Sequence, residues 1–511
     1  MEYTTFTTLP LDIPMEGIIS LSNSFAPINL LPAELLIEIF GHLRRAAGFN
    51  GDLVAATHVC RHWREVAIRA PELWTAVKLD NVPAAMAFLV RSQSLPISVF
   101  VGEPPQDILP DVAHALEPHL HRVQAFDGEF QELPDLIAFP GIFLRPAAVR
   151  RLSLYLEDEA SQEFFRTHDA QDILPIWRHL YFPDVQELIT TSLPGLTLDG
   201  FTKLTSLHLD GLLPTVETML PALATCAPSL RRLNISGWWL GALPTQGLVT
   251  ADLSNLETLT LNIRYDRDAF KLLKQLVVPE TCSITIDVDV EDSNPFHQLP
   301  QADVCFRGLR QLAVAWGGAR GTELRVCGWK NPNAVMPTFT LRIAYGQKFD
   351  NPLLPAWPVD VSEVRRLDLD MGGYMPETEF DAGLGCFPKL ETMRVTRLED
   401  FGLFLLCHAL EKVVTVAVQA ADPTGPQGAA VMRDVLTHCP RLSHIELGMF
   451  DWYAQVKLHV APVARRRREA FAPNFAFKLF DMLVQEEGKP AYMWNIEFDG
   501  QGGCMEYPGE V

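Results

Sequence analysis

A short apolar pattern that returns at a fixed spacing constrains the fold of this chain more than any other feature. The pattern reads apolar-x-x-apolar-x-apolar, and successive copies begin 26 residues apart at Leu204, Leu230 and Leu256. Further copies begin at Val149, Leu309, Val364, Leu390 and Leu442. A period of roughly 20–50 residues is typical of solenoids, in which each repeat packs on its neighbours. The sequence therefore predicts a repeat array, clearest over residues 149–450.

Each copy predicts one short strand, with its apolar positions in the core and the intervening residues on the outer face. The stretches PISVFV (residues 96–101) and HRVQAF (residues 121–126) predict strands of earlier repeats. Helix-compatible stretches lie between copies, as in TVETMLPALATCAPSL (residues 215–230) and GAAVMRDVLTHCPRL (residues 428–442). The expected fold class is α/β, an irregular solenoid with parallel strands on one face and helices on the other.

Residues 28–79 have a different texture, with three predicted helices. The first carries one apolar stripe made of Leu35, Leu36, Ile39, Phe40 and Leu43. Pro32 and Glu34 suit its first turn, and Asp52 is a candidate N-cap for the second helix. The third starts near Arg61 and is stopped by Pro71. A segment of this size buries too little surface to be stable alone, so it must lean on the repeats and can offer its remaining apolar surface to a partner.

Charge and cysteine content limit the classes of partner and compartment. The net charge of −21 disfavours nucleic acid and anionic membrane surfaces as partners. The run Arg465-Arg466-Arg467-Arg468 reads either as a nuclear import signal or as a solvated loop or helix end. Nine scattered cysteines suit free thiols in a reducing compartment, and neither a secretory leader nor a long charge-free apolar span is recognised. We expect a soluble protein of the cytoplasm, the nucleus or both.

No motif for catalysis, cofactor binding or metal binding is found. The acidic run Asp287, Asp289, Glu291 and Asp292 could hold a cation, but its alternation with apolar residues favours a strand with a solvated face. His208 and His444 lack a nearby nucleophile motif, and the pair Trp238-Trp239 favours packing or a contact patch. We therefore expect a non-enzymatic protein without cofactor or metal.

The segment from Leu31 to Trp74 resembles an F-box, the helical module that docks substrate receptors onto the adaptor Skp1 of cullin–RING ubiquitin ligases. The resemblance is carried by Leu31-Pro32, Glu34-Leu35, Ile39-Phe40, Leu43, Leu53, the VCRHW of Val59 to Trp63, Ala67 and the PELW of Pro71 to Trp74. It implies that Skp1 is bound by a set of nine residues: Leu31, Pro32, Leu35, Ile39, Phe40, Leu43, Val59, Cys60 and Trp63.

The repeats resemble leucine-rich repeats of the 26-residue type, and the continuation RSQSLPISVFV is similar to large F-box families of mushroom-forming fungi. The sequence departs from these patterns in three ways. The loop between Leu43 and Leu53 is long, the spacing drifts after residue 284, and the usual Asn after the strand is replaced by Leu212, Trp238 and Arg264.

The resemblance implies that the outward strand residues form a target-binding face. Its candidate residues are His208, Asp210, Arg232, Asn234, Thr260, Arg366, Asp368, Arg394, His444 and Glu446. Their mostly small or polar character suits hydrogen-bonded recognition and an idle solvated face equally well.

The expected function is a substrate-recruiting F-box subunit of a Skp1–cullin–RING ubiquitin ligase, which binds a target through its repeats. One alternative is a non-catalytic scaffold that acts without ubiquitin transfer. Another is an enzyme whose site lies hidden in the irregular region beyond residue 284. The expected organisation is a mobile tail over residues 1–27, an F-box over 28–79 and an irregular solenoid over 80–511.

Overall fold

The architecture is that of a computed structural model of the 511-residue chain. The structure describes residues 27–46, 51–102, 114–130, 148–156, 183–191, 198, 201–213, 216–239, 250–264, 266–290, 307–317, 323–345, 360–371, 384, 386–396, 413–418, 431–436, 444–449, 476–481, 493–498 and 504–509. The chain divides into two compact units, Met1–Leu204 and Thr205–Val511. The predicted tail, except for residue 27, and the arginine run at 465–468 lie outside the described residues.

Helices open the first unit. They are α1 (Ala33–Ala46), α2 (Gly51–Val59), α3 (Arg61–Ile68) and α4 (Val82–Arg91), with 3₁₀ turns at Pro27–Leu30, Pro71–Trp74 and Glu117–Arg122. The three helices predicted for residues 28–79 are therefore confirmed. The N-cap predicted at Asp52 is wrong, because α2 already begins at Gly51 and places Asp52 inside its first turn.

The strands of the first unit form a parallel sheet. They are β1 (Ala76–Lys78), β2 (Ile97–Val101), β3 (Val123–Phe130), β4 (Arg151–Leu156) and β5 (Glu187–Thr191), and each pairs with the next. Burial alternates along β2, so that Ile97, Val99 and Val101 point into the core. The strands expected at 96–101 and 121–126 are present, and the sheet begins directly after α3 and the Pro71–Trp74 turn.

The second unit contains most of the strands. Its elements are β6 (Ser206–Asp210), β7 (Leu212–Leu213), α5 (Val216–Cys226), β8 (Arg232–Trp239), β9 (Ala251–Asp252), β10 (Thr258–Ile263), α6 (Asp266–Leu273), β11 (Leu276–Val277), β12 (Ser283–Val290), β13 (Gln311–Gly317), β14 (Glu323–Trp329), β15 (Phe339–Tyr345), β16 (Arg366–Met371), β17 (Thr392–Thr396), β18 (Val413–Val418), β19 (Val431–Leu436), β20 (His444–Met449), β21 (Ala476–Asp481), β22 (Met493–Phe498) and β23 (Cys504–Gly509). The main sheet runs β6, β8, β10, β12, β15, β14, β13, β16, β17, β20, β21, β22, β23.

The 26-residue period of the sequence sets the register between adjacent strands of this sheet. Ser206 lies opposite Arg232, and Arg232 lies opposite Thr258, so residues one period apart are neighbours on adjacent parallel strands. The same step joins Arg366 to Thr392. Buried leucine and isoleucine residues alternate with exposed or half-exposed residues along β6 and β10, which confirms the predicted inward and outward sets there.

The expected parallel direction of the strands is wrong in two regions of the main sheet. β12 is followed in the sheet by β15 rather than by β13, and β13, β14 and β15 pair antiparallel. The connections 318–322 and 330–338 are too short for a parallel crossover, which needs about a dozen residues or more. β21, β22 and β23 also pair antiparallel.

The helix expected from GAAVMRDVLTHCPRL is also wrong. Val431–Leu436 is the strand β19, paired antiparallel with β18. A short apolar run fits both helical and strand periodicity, and here the β-branched residues of the partner strand VVTVAV favour the strand. Among the described residues the second unit has two helices, α5 and α6. The structure thus shows a mixed α/β chain with helices at its start and a large, mainly parallel sheet.

Candidate partner-binding surfaces

The apolar face of α1 is only partly buried in the core of the module. The carbonyl of Pro32 accepts the first helical hydrogen bonds, from Leu35 N at 3.1 Å and from Leu36 N at 3.2 Å. Leu36 and Phe40, one turn apart, are fully buried. On the adjoining stripe Leu35 is 45% exposed and Ile39 is half-buried. Two of the five residues of the predicted stripe therefore fill the core, and the other three remain wholly or partly open to solvent.

A polar contact fastens the turn before α1 to the third helix. The indole Nε1 of Trp63 donates to Oδ1 of Asn29 at 2.6 Å, and the Cys60 thiol lies 4.0 Å from the same oxygen. The Trp63 ring packs on Phe40 with ring centroids 5.3 Å apart. Trp63 therefore supports the module from within through its ring and positions the turn Pro27–Leu30 through its nitrogen.

The junction between α2 and α3 exposes a second apolar position. Cys60 takes an extended conformation and caps α3, its sulfur accepting from Trp63 N at 3.5 Å. Val59, directly before it, is 59% exposed. Because the cap fixes the sharp change of direction here, Val59 is held on the outside of the module.

The closing PELW motif faces inward. Trp74 is fully buried, its Nε1 donates to the carbonyl of Ala67 at 2.7 Å, and its ring meets Phe88 edge-on at 4.8 Å. The Arg91 guanidinium lies over the same ring at 4.4 Å, in a cation–π contact. Trp74 therefore ties α3 to α4 and is an internal anchor.

The nine residues predicted to contact Skp1 fall into three groups. Pro32, Leu35 and Val59 are exposed, and Phe40 is fully buried. The half-buried group consists of Leu31, Ile39, Leu43, Cys60 and Trp63. Sequence reasoning missed Asn29 and four further exposed apolar residues, namely Ile28, Leu30, Val54 and Ile68. Leu30 is 74% exposed, and its place directly before the Leu31-Pro32 pair is a signal that could have pointed to it.

The predicted target face is partly brought together by the sheet. His208, Asn234 and Thr260 lie side by side on β6, β8 and β10, while Asp368 and Arg394 are opposite each other on β16 and β17. Arg232 is exposed, and Asp210 is half-exposed at the end of β6. Arg366 is not an independent contact, because its Nε donates to Asp368 at 3.1 Å. His444 and Glu446 lie on β20 opposite Thr392 and Arg394 in the strand register, and their side chains lie outside the described part of the chain.

The described residues hold no cluster of His, Cys, Asp and Glu suited to a metal ion. Across the same described ranges, none of the helices combines the length and apolar character needed to traverse a bilayer. The described cysteines, for example Cys226 and Cys282, are free thiols, and burial raises the pKa of Cys226 to about 12.

Comparison with known families identifies the helical segment. Residues 28–80 match the family model described as F-box-like, which covers about a tenth of the chain and coincides with the helices and the PELW turn. Comparison with curated proteins gives no significant match.

Proposed function

We propose that this chain is a substrate-recruiting F-box subunit of a Skp1–cullin–RING ubiquitin ligase. The observation that carries the proposal is the F-box-like match at residues 28–80, together with the apolar residues that this module leaves open. An F-box suggests a role in binding a Skp1-like adaptor, and such modules are typically non-catalytic.

The contacts proposed for the adaptor are the open residues of the module. Buried apolar area is the main source of binding free energy at such surfaces, and Leu35 and Val59 expose that area in the free chain. The half-buried predicted residues extend the same contact, and we add Leu30 to it. Phe40 supports the contact from inside, since a fully buried side chain cannot meet a partner directly.

The second unit is proposed to hold the target protein. Its outward strand residues stack in register into a polar face of the kind that repeat proteins use for binding. We propose that the strand repeats of the second unit are irregular leucine-rich repeats, and the 26-residue register of the strands supports this. The chain then acts in the cytoplasm or nucleus by raising the concentration of a target near the ligase, without chemistry of its own.

The test is co-purification of the full chain with a Skp1-like adaptor. The variant Leu35→Glu/Val59→Glu places charge on two exposed positions and leaves the buried Leu36 and Phe40 intact. Its matched control is Val335→Glu/Met336→Glu, which changes two residues that are 93% and 76% exposed in the second unit. We expect wild type and control to retain the adaptor and the Leu35/Val59 variant to lose it while remaining folded. Retention by a folded Leu35/Val59 variant would contradict the proposed contact.

Ubiquitin transfer separates the ligase subunit from the scaffold alternative. The matched segment accounts for adaptor docking only, so a scaffold could share it. A ligase subunit carries a cullin in the purified complex and supports adaptor-dependent ubiquitylation of a co-purifying protein. A complex that holds the adaptor but neither cullin nor ubiquitylating activity would favour the scaffold.

A further inference from the structure

The outward face of the second unit has a cavity of about 250 Å³ where β14, β13, β16 and β17 lie side by side. Its floor is made of small residues on β13: Ala313 lies between Cys327 and Asp368, and Ala315 lies between Arg325 and Asp370. The antiparallel insertion of β14 creates the cavity, because it places an arginine-bearing strand beside the alanines. The regular repeats have no counterpart of this insertion among the described strands.

The charged side chains around the cavity differ in whether they already have partners within the chain. Asp368 accepts from Arg366 Nε at 3.1 Å and from Gln311 Nε2 at 2.9 Å. Asp370 and Arg394 also have interactions within the chain. The side chain of Arg325 is exposed, and it makes no hydrogen bond or ion pair with any described residue.

The neighbouring arginine explains why Arg325 is left over. Arg342, directly opposite it on β15, binds Glu323 at 2.9 Å and Asp287 at 2.9 Å. The carboxylates of Glu323 and Asp287 are therefore already paired with Arg342. Arg325 thus presents a guanidinium, the best carboxylate-binding group among side chains, at the rim of a small apolar floor.

We propose that this cavity binds an extended segment of a partner protein that carries a glutamate side chain beside an aliphatic one. The glutamate carboxylate pairs with Arg325, and the aliphatic side chain covers Ala313, Ala315 and Cys327. The volume lies just below the range of about 300–1,000 Å³ typical of cofactor and drug-sized ligands, and it suits one or two side chains. Binding of a polyanion is disfavoured, because Asp368 and Asp370 lie on the side of the cavity opposite Arg325 and the chain carries a net charge of −21.

This inference deepens the proposed function: it rests on that function for the view that the bound segment belongs to a recruited target. It differs from a general polar face in naming one cavity and one charge. The ion pair between Arg325 and the glutamate of the bound segment is partially exposed, so dissolved salt screens it. We therefore expect binding of the segment to weaken as ionic strength rises.

The probe is the peptide acetyl-Ser-Leu-Glu-Leu-Ser-amide, compared with its counterpart in which glutamine replaces glutamate. Saturation-transfer NMR on the full chain measures the affinity of each peptide. We expect the glutamate peptide to bind and the glutamine peptide to bind up to about fivefold more weakly, the upper end of the effect of one exposed ion pair.

Two variants and one control test the place of binding. Arg325→Glu removes the cation, and Ala315→Leu fills the floor; each is expected to abolish preferential binding of the glutamate peptide. Arg310→Glu is the matched control, since Arg310 is an exposed arginine of the second unit that belongs neither to the cavity lining nor to the predicted target face. Equal affinity for the two peptides, or equal loss in the Arg310 and Arg325 variants, would overturn the proposal.

Adaptor binding is measured on the same samples. Adaptor binding without glutamate-dependent peptide binding would sink this inference alone. Peptide binding that fails in the Arg325 variant, in a chain that binds no adaptor, would uphold the cavity and overturn the proposed function.

Discussion

At the scale of single residues, Asn29 is the polar contact that organises the turn before α1. Its side-chain oxygen accepts from Trp63 Nε1 at 2.6 Å, across 34 positions of the sequence. The bond fixes the turn that carries Ile28 and Leu30, both exposed apolar residues. Asn29 is therefore a positioning residue for the proposed adaptor contact.

We predict that Asn29→Ala weakens adaptor binding about fivefold, the equivalent of one net hydrogen bond of about 1 kcal/mol. The melting temperature should fall only slightly, because Phe40 and the other core side chains stay in place. Trp63→Phe keeps the ring and removes the donor, so it should produce a similar loss. The double variant should lose no more than either single variant; fully additive losses would show that the bond does not position the turn.

Arg122 and His119 form a second local contact, at the C-terminal end of α4. Arg122 is 6% exposed and donates to the carbonyls of Leu89 at 2.6 Å and Leu95 at 3.3 Å, and to the Ser92 hydroxyl at 3.0 Å. Its guanidinium thus caps the last turn of the helix. His119 Nδ1 lies 3.3 Å from Arg122, and burial, followed by the charge of Arg122, holds the pKa of His119 below its ordinary value of 6.5.

This arrangement predicts a loss of stability in acid. Since the folded state lowers the pKa of His119, the neutral imidazole stabilises the fold above pH 6.5, and that contribution is lost as the pH falls towards the folded pKa. The free energy of unfolding, measured by denaturant titration between pH 7.5 and 5, should therefore decline in the wild type. His119→Gln should flatten that decline. An unchanged slope in the variant would show that other groups control the acid sensitivity.

At the scale of elements, two glycines one repeat apart let neighbouring strands approach. Gly211 follows β6 and Gly237 lies in β8, and both have positive φ, at 75° and 133°. A Cβ on Gly237 would come within 1.8 Å of the Gly211 carbonyl oxygen, a backbone atom that cannot move aside easily. The close approach depends on both the backbone angle and the missing side chain.

We predict that Gly237→Ala destabilises the second unit by several kcal/mol, on the order of an overpacked core with added backbone strain. Gly308→Ala is the matched control, because Gly308 also has a positive φ, 72°, but no atom lies within 4 Å of its Cβ position. The control should cost about 1–2 kcal/mol. Thermal unfolding followed by circular dichroism measures both; equal losses would mean that the clash with Gly211 is relieved.

The elements also show how far sequence reasoning reaches. The 26-residue spacing predicted the parallel register from β6 to β10, because the side-chain alternation of a strand leaves one solution. It failed at β13–β15 and at β19, where short connections and ambiguous apolar runs decide the pairing. The cavity at β14 arises from that unpredicted insertion, so no sequence pattern pointed to it.

Within the helical module, the sequence predicted the apolar stripe of α1 but not which of its residues are buried. Leu35 and Leu36 are adjacent and chemically identical, yet one is 45% exposed and the other fully buried. Which stripe is covered depends on how α1 packs on α2 and α3, and this tertiary information is absent from helical periodicity.

At the scale of the whole molecule, the chain combines two surfaces with different physical chemistry. The first unit exposes aliphatic residues such as Leu30 and Val59, which suit burial against a folded adaptor. The second unit presents polar strand rows and a small cavity with the exposed Arg325 at its rim. A net charge of −21 keeps both surfaces from binding polyanions indiscriminately.

Docking of an adaptor by the helical module is tested most directly by hydrogen–deuterium exchange of the full chain with and without a purified Skp1-like adaptor. We predict new protection in peptides covering residues 28–68, where the apolar residues are open, and none around Trp74, which is already buried. The strands of the second unit should exchange as before. Protection confined to the second unit, or none anywhere at saturating adaptor, would contradict the claim that this chain docks its adaptor through the helical module.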